Sequence, residues 1–213
     1  MLSSISSEIL EYTIHVFRKN NLVYIATYKC GSTYFVSLLI VNGWERISLD
    51  DINWNSDRVI AFIRNIKERY INGIIEDLYQ TQTIEEPKAE PLEKIYEYLK
   101  KIAGDSSQHF LLGSYHTVPI TLILQDYIDI IHWIPIFEGF DHNQEFFRIC
   151  EEFKCPISIF EDENIDHHHT LPTVKLYQIA FSELHPENSF LFRLYYSGDQ
   201  ILYNNAKLNY NLT

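Results

Sequence analysis

A short run of residues with anion-binding chemistry lies at positions 28–33 of this 213-residue chain. Gly31 lets the backbone approach an anion closely, while Ser32 and Thr33 add hydroxyl donors and Lys29 adds a positive charge. If the run joins a strand to a helix, the first amides of that helix also point at the anion. The run therefore predicts a phosphate or sulfate site, and the alternative is an ordinary tight turn between a strand and a helix.

A second run with anion-binding chemistry begins at Arg64 and ends at Gly73. The planar guanidinium of an arginine can form two charge-assisted hydrogen bonds with a phosphate dianion at once. Asn72 can also donate a hydrogen bond through its side-chain amide. The two residues are candidates for a second phosphate site, although Arg64 would equally suit a salt bridge at the end of a strand.

Together the two runs resemble the two signatures of the sulfotransferase superfamily. Residues 28–33 match the 5′-phosphosulfate loop P-K-x-G-[ST]-[ST], with Tyr28 in place of proline. Residues 64–73 match the 3′-phosphate signature R-D-P-x-x-R-[FY]-x-S-G without a gap. The departures are Asn65 and Ile66 in place of Asp-Pro and Asn72 in place of serine.

The resemblance implies that the chain binds 3′-phosphoadenosine 5′-phosphosulfate and transfers its sulfuryl group to a hydroxyl. In this interpretation Lys29 lies at the phosphosulfate and stabilises the leaving group. The residues predicted to bind the donor are Lys29, Cys30, Gly31, Ser32, Thr33, Tyr34, Arg64 and Asn72.

Two later runs extend the resemblance to about residues 20–205. Residues 113–119 are similar to the H-x-x-P segment of carbohydrate-type sulfotransferases, with Val118 and Ile120 at the positions of the usual Arg and Gln. Residues 195–203 resemble the pattern Y-x-x-D-x-x-[LI]-[FY] that closes many of these chains. His116 is the predicted general base, because an unperturbed imidazole titrates near neutral pH. A structural histidine is the alternative, and Glu138 and Glu68 are the reserve bases.

These residues need a sheet to bring them together. Residues 22–27 and 58–63 are short, β-branched, apolar runs typical of strands buried on both faces. Helices are predicted after each, over 34–41 and 67–79. This order predicts an α/β fold with a parallel central sheet of about four or five strands flanked by helices, a P-loop-like sulfotransferase fold. Lys29 and Arg64 would then meet beyond the carboxyl ends of the strands.

The remaining pattern completes one predicted domain over residues 1–213. An amphipathic helix is predicted over 7–19 and a polar loop over 80–91. Further predictions are a helix over 91–103, a short strand or loop over 110–113, a helix or turn over 121–127, a strand over 128–137, a helix over 144–153, a polar stretch over 161–169, and helices over 174–184 and 187–202.

Composition limits the partners. A formal net charge of −12 argues against a nucleic-acid binder and against a highly sulfated polymer as acceptor. The expected acceptor is therefore a neutral or weakly charged glycan or other small hydroxyl compound, and the oligomeric state stays open.

Three cysteines without a C-x-x-C pair indicate free thiols, and no apolar stretch predicts a membrane span, so we expect a cytoplasmic protein. The run from Asp166 to His169 favours a solvated loop, and no metal is predicted.

Two other functions compete with sulfuryl transfer. A phosphotransferase loop places its lysine after the second glycine, whereas Lys29 precedes Gly31, and the second strand ends in Arg64 rather than in a magnesium-binding aspartate. A non-catalytic nucleotide-binding protein with a sulfotransferase fold is the stronger rival, because of the departures at positions 65, 66 and 72.

Overall fold

The computed structural model describes residues 14–80, 116–159 and 190–212. These residues form a five-stranded sheet in the order β3-β1-β2-β4-β5. The strands are β1 His15–Lys19, β2 Leu22–Ala26, β3 Glu45–Ile47, β4 Arg58–Arg64 and β5 His132–Ile136. The α/β class is confirmed, and the sheet reaches the upper end of the predicted size.

The parallel part of the sheet consists of β2, β4 and β5, with Ile25 opposite Ala61 and Ala61 opposite Trp133. Every residue of β2 is buried, as are the five central residues of β4. Continuous apolar runs are expected where a strand is covered on both faces. The predictions for 22–27 and 58–63 are therefore confirmed to within one residue at the carboxyl ends.

The prediction of a wholly parallel sheet is wrong, because β1 pairs antiparallel with both β2 and β3. Only Asn20 and Asn21 separate β1 from β2, and Asn20 has a left-handed φ of 54°. A connection this short can join antiparallel strands only, since a parallel crossover needs a dozen or more residues. The helix predicted over 7–19 is wrong for residues 15–19, and residues 7–13 lie outside the described ranges.

Six helices accompany this sheet in the described part of the chain. They are α1 Ser32–Val41, α2 Ile66–Gln80, α3 Ile120–Ile123, α4 His142–Glu152, α5 Phe190–Tyr195 and α6 Ser197–Asn209. α1, α2 and α4 confirm three predicted helices. The single helix predicted from residue 187 is instead two, broken at Tyr196, and turns occupy residues 125–130, where a strand was predicted in part.

Aromatic side chains fill the core beside β2 and β4. The rings of Tyr24, Phe35, Phe62 and Phe146 lie with centroids 4.5 to 6.0 Å apart, so α1 and α4 cover the same face of the sheet. Cys30, Cys150 and Cys155 are free and buried, as the cysteine spacing predicts. The predictions for residues 81–115 and 160–189 lie outside the described ranges.

Candidate functional site

The loop between β2 and α1 has a backbone suited to an anion. Cys30 N donates to Thr27 O at 3.3 Å, and both Lys29 (φ 58°) and Gly31 (φ 78°) adopt left-handed conformations. A Cβ at Gly31 would lie 3.6 Å from the nearest atom, Cδ2 of Phe35, so the position requires glycine for its backbone angle rather than for space. Thr27 Oγ1 donates to Phe62 O at 2.6 Å and fastens the loop to β4.

The first turn of α1, which follows this loop, has no side-chain cap. Gly31 is the N-cap, so no side chain caps the helix, and the first turn holds no acidic residue. The first amides of a helix have no partner within the helix and carry the positive end of its dipole. Ser32 is half-buried and Thr33 is exposed. An anion at Gly31, Ser32 and Thr33 would therefore satisfy these donors.

Arg64 lies at the same edge of the sheet as this loop. β2 and β4 are neighbouring parallel strands, so the loop that follows Ala26 and the last residue of β4 occupy one side. Burial raises the pKa of the Cys30 thiol in this loop, while the positive charges of Arg69 and Arg64 act to lower that pKa. The structure thus brings together the two predicted phosphate-binding runs.

Arg64 has a carboxylate partner where the signature predicts phosphate. Its Nε donates to Glu68 Oε2 at 3.0 Å, and the two side chains are 32% and 58% exposed. Asn72 donates from Nδ2 to Glu68 O at 2.8 Å, one turn back in α2. Glu68 and Asn72 lie four residues apart on one side of α2, and Arg64, the last residue of β4, reaches Glu68 from the strand end. A phosphate bound between Arg64 and Asn72 must compete with the Glu68 carboxylate.

The predicted base, His116, lies beside the loop but is buried, with 2% of its surface exposed. Its ring lies nearly perpendicular to the Tyr28 ring, at a centroid distance of 5.2 Å. Tyr28, which stands where the signature has proline, thus connects the loop between β2 and α1 to His116. The reserve base Glu138 is exposed in the turn after β5.

No family model matches the chain, and no curated protein or solved structure is significantly similar to it. The arguments for its function therefore come from its own residues.

A buried ion pair and its hydrogen bonds link the two later matches to α2. Arg69 Nη2 donates to Asp199 Oδ2 at 2.9 Å, and the two side chains are 2% and 1% exposed. Arg69 Nη2 also donates to Val118 O at 2.9 Å, and its guanidinium lies 5.8 Å from the centroid of the Tyr196 ring. The signature arginine, the H-x-x-P segment and the closing aspartate therefore form one cluster.

The residues of this cluster were present in the matched patterns, but their pairing has no signal in a single sequence. Arg69 Nε is buried without a hydrogen-bond partner among the described residues. Arg69, Thr27 and Tyr28 border a cavity of about 10 Å³. This volume holds roughly one water molecule and is too small for a nucleotide.

His15 is a further residue at this edge that the sequence interpretation missed. Because β1 is antiparallel to β2, His15 pairs with Ala26 and lies beside the loop, its ring centroid 6.3 Å from that of Tyr28. Arg46 Nη2 lies 2.9 Å from its Nδ1, and burial, followed by the charge of Arg46, lowers the pKa of His15. The two-residue connection at Asn20 and Asn21 was the signal that could have placed it.

Two kinds of feature are absent from the described residues, a membrane-spanning helix and a cluster of metal ligands. No helix in the described ranges is long and apolar enough to cross a membrane. Across residues 14–80, 116–159 and 190–212, no group of three His, Cys, Asp or Glu side chains is placed to hold a metal ion. The run from Asp166 to His169 lies outside those ranges.

Proposed function

We propose that this protein is a sulfotransferase that uses 3′-phosphoadenosine 5′-phosphosulfate. The observation that carries the proposal is the position of the loop at Lys29 and Gly31 beside Arg64, at the carboxyl ends of adjacent parallel strands. Ligands of open α/β sheets bind at this edge. The helix amides at Ser32 and Thr33 suit the 5′-phosphosulfate, and Arg64 with Asn72 suits the 3′-phosphate.

The proposed reaction is a single in-line transfer. The acceptor hydroxyl gives its proton to His116, and its oxygen forms a bond to sulfur. The bond between sulfur and the bridging phosphate oxygen breaks, which leaves a sulfate ester and 3′-phosphoadenosine 5′-phosphate. Lys29 and the amides of α1 stabilise the negative charge that develops on the leaving phosphate.

The acceptor we propose is a neutral or weakly charged glycan or other small hydroxyl compound, met in the cytoplasm. The net charge of −12 supports this acceptor because it repels a highly sulfated polymer. The three free thiols support a reducing compartment.

A donor carrying labelled sulfate, incubated with sugars, lipids and phenols, tests the function. Label on a sugar or lipid is the expected result, and transfer to phenols alone would remove the carbohydrate assignment.

A nucleotide-binding protein without turnover is the second candidate, and the burial of His116 favours it. A base that is 2% exposed cannot meet an acceptor unless the residues around it move. Both candidates require donor binding, so label transfer separates them.

Lys29→Ala and Arg64→Ala will each weaken the binding of 3′-phosphoadenosine 5′-phosphate by about 1.5 to 3 kcal/mol, the range for hydrogen bonds to charged groups. Isothermal titration calorimetry measures the loss. Lys154→Ala is a matched control for Lys29, because Lys154 also has a left-handed φ, of 57°, but lies at the opposite edge of the sheet, beside Asn20. Wild-type affinity in a folded Lys29 or Arg64 variant would count against the site.

Glu68→Gln will tighten the binding of the same nucleotide by about 2- to 5-fold. It removes a negative charge from the predicted 3′-phosphate position and frees Arg64 from an exposed ion pair worth about 0.2 to 1 kcal/mol. Glu152→Gln is the control, since Glu152 pairs with Arg148 in the same i,i+4 arrangement on α4. Weaker binding in Glu68→Gln would show that Glu68 orients Arg64 rather than competing with phosphate.

A further inference from the structure

Residues 116–121, which we name the His116 segment, are held by side chains of α2, of α6 and of Tyr196, the N-cap of α6. Two of its backbone carbonyls accept hydrogen bonds: Thr117 O from the Tyr196 hydroxyl, and Val118 O from Arg69 at 2.9 Å. Two of its amides, those of Ile120 and Thr121, donate to the Asp199 carboxylate at 2.9 and 2.8 Å. Because all these groups are buried or half-buried, each lost bond leaves a desolvated polar group.

Both ends of the His116 segment also lie against helices at close range. A Cβ at Gly73 of α2 would fall 2.7 Å from His116 O, and a Cβ at Gly198 of α6 would fall 2.7 Å from Thr121 Oγ1. Real Cβ atoms do not approach other atoms so closely, so only glycine fits at either position. The segment therefore has little freedom to slide between α2 and α6.

Asp199 has a further role at the amino end of α3. The N-cap of α3 is Pro119, which provides no side-chain cap. Asp199, from another helix, supplies the missing acceptors for the amides of Ile120 and Thr121, and it also accepts from Thr121 Oγ1 at 2.8 Å. Arg69 neutralises the charge that this carboxylate brings into the core.

We propose that Arg69, Tyr196 and Asp199 are positioning residues that hold His116 against the phosphate loop. The proposal rests on the proposed function for the role of His116, but the positioning itself follows from the contacts. His116 begins the held segment, and its ring meets Tyr28, the neighbour of Lys29. A general base must lie within hydrogen-bond reach of the proton it accepts, and a displacement of about 1 Å can cost 10²-fold in rate.

The variant that tests this proposal with least disturbance is Tyr196→Phe. It removes the hydroxyl that bonds Thr117 O and keeps the ring that packs on Tyr70 and Phe192. Tyr210→Phe is the matched control, because it also removes a hydrogen-bonded hydroxyl, which contacts His132 and Glu145 at the opposite edge of the sheet. Asp199→Asn is a second test variant that keeps the shape of the side chain and removes its charge.

The first readout is the NMR signal of the His116 ring in the nucleotide-free protein, assigned by loss of the signal in His116→Gln. The His116 ring lies nearly perpendicular to the Tyr28 ring, so its chemical shift depends on its position beside that ring. We expect Tyr196→Phe and Asp199→Asn to move the signal and Tyr210→Phe to leave it in place. An unmoved signal in both test variants would overturn the proposal.

The second readout separates the proposal from the proposed function. We expect turnover in Tyr196→Phe to fall about 10-fold or more with the affinity for 3′-phosphoadenosine 5′-phosphate unchanged, because the base moves and the phosphate loop does not. Equal losses in Tyr210→Phe, or unchanged turnover in Tyr196→Phe, would contradict positioning. If the wild-type protein binds no nucleotide, the proposed function fails, and the NMR comparison still decides whether the network positions His116.

Discussion

Asp199→Ala will destabilise the protein by about 3 to 5 kcal/mol, the loss expected when one partner of a buried ion pair is removed. Arg69 is left charged with 2% of its side chain exposed, and the amides of Ile120 and Thr121 lose their acceptor. Urea unfolding followed by circular dichroism measures the change in the free energy of unfolding. We expect the midpoint to fall with no change in the slope.

Two comparisons show whether that loss comes from the buried charge. Glu152→Ala removes one of the two carboxylate partners of the exposed Arg148, the other being Glu145, and should cost no more than about 1 kcal/mol. Arg69→Met combined with Asp199→Leu should recover part of the loss, because no charge is then left in the core. A loss for Asp199→Ala no larger than that for Glu152→Ala would contradict the structural role of the pair.

His116→Ala will lower turnover of sulfuryl transfer by about 10² to 10⁴, the usual contribution of a general base. Affinity for 3′-phosphoadenosine 5′-phosphate should stay close to that of the wild-type protein, because the hydrogen bond from Thr27 to Phe62 O, which fastens the loop to β4, is kept in the variant. Single-turnover kinetics with labelled donor measures the chemical step, and calorimetry measures the affinity.

The burial of His116 makes a folding control necessary. His132→Ala removes a different histidine, half-buried and bonded to Tyr210 at the far edge of the sheet, and should leave turnover unchanged. If His116→Ala folds and keeps full turnover, His116 is a structural residue and the base must be sought at Glu138 or Glu68. If His116→Ala and His132→Ala lose equal stability and equal activity, His116 is again a structural residue rather than the base.

The parallel half of the fold could be predicted because its strands are buried on both faces. Residues 22–26 and 59–63 are apolar without interruption, and few other elements of that length have this pattern. β1 could not be recognised in the same way, because Val16 and Phe17 are both buried and break the alternation of a half-exposed strand. β3 is a three-residue edge strand with two exposed residues, and so it carries no apolar signal.

The candidate site could be predicted where the residues are close in sequence. Lys29 to Thr33 lie together in the loop and the first turn of α1, and the glycine at position 31 suits the left-handed angle found there. The pairing of Arg69 with Asp199 spans 130 positions and depends on how α2 and α6 pack, so spacing alone does not predict it. The same holds for the contact between Tyr28 and His116, which depends on where the His116 segment crosses α2 at Gly73.

Calorimetric titration with 3′-phosphoadenosine 5′-phosphate, in parallel with ATP and Mg²⁺, tests the central claim most directly. The account predicts binding of the first nucleotide to the wild-type protein, a loss of about 1.5 to 3 kcal/mol in Lys29→Ala and Arg64→Ala, and no preference for ATP with Mg²⁺. Tighter binding of ATP with Mg²⁺ would favour a phosphotransferase. No binding of 3′-phosphoadenosine 5′-phosphate by the folded wild-type protein would contradict the account.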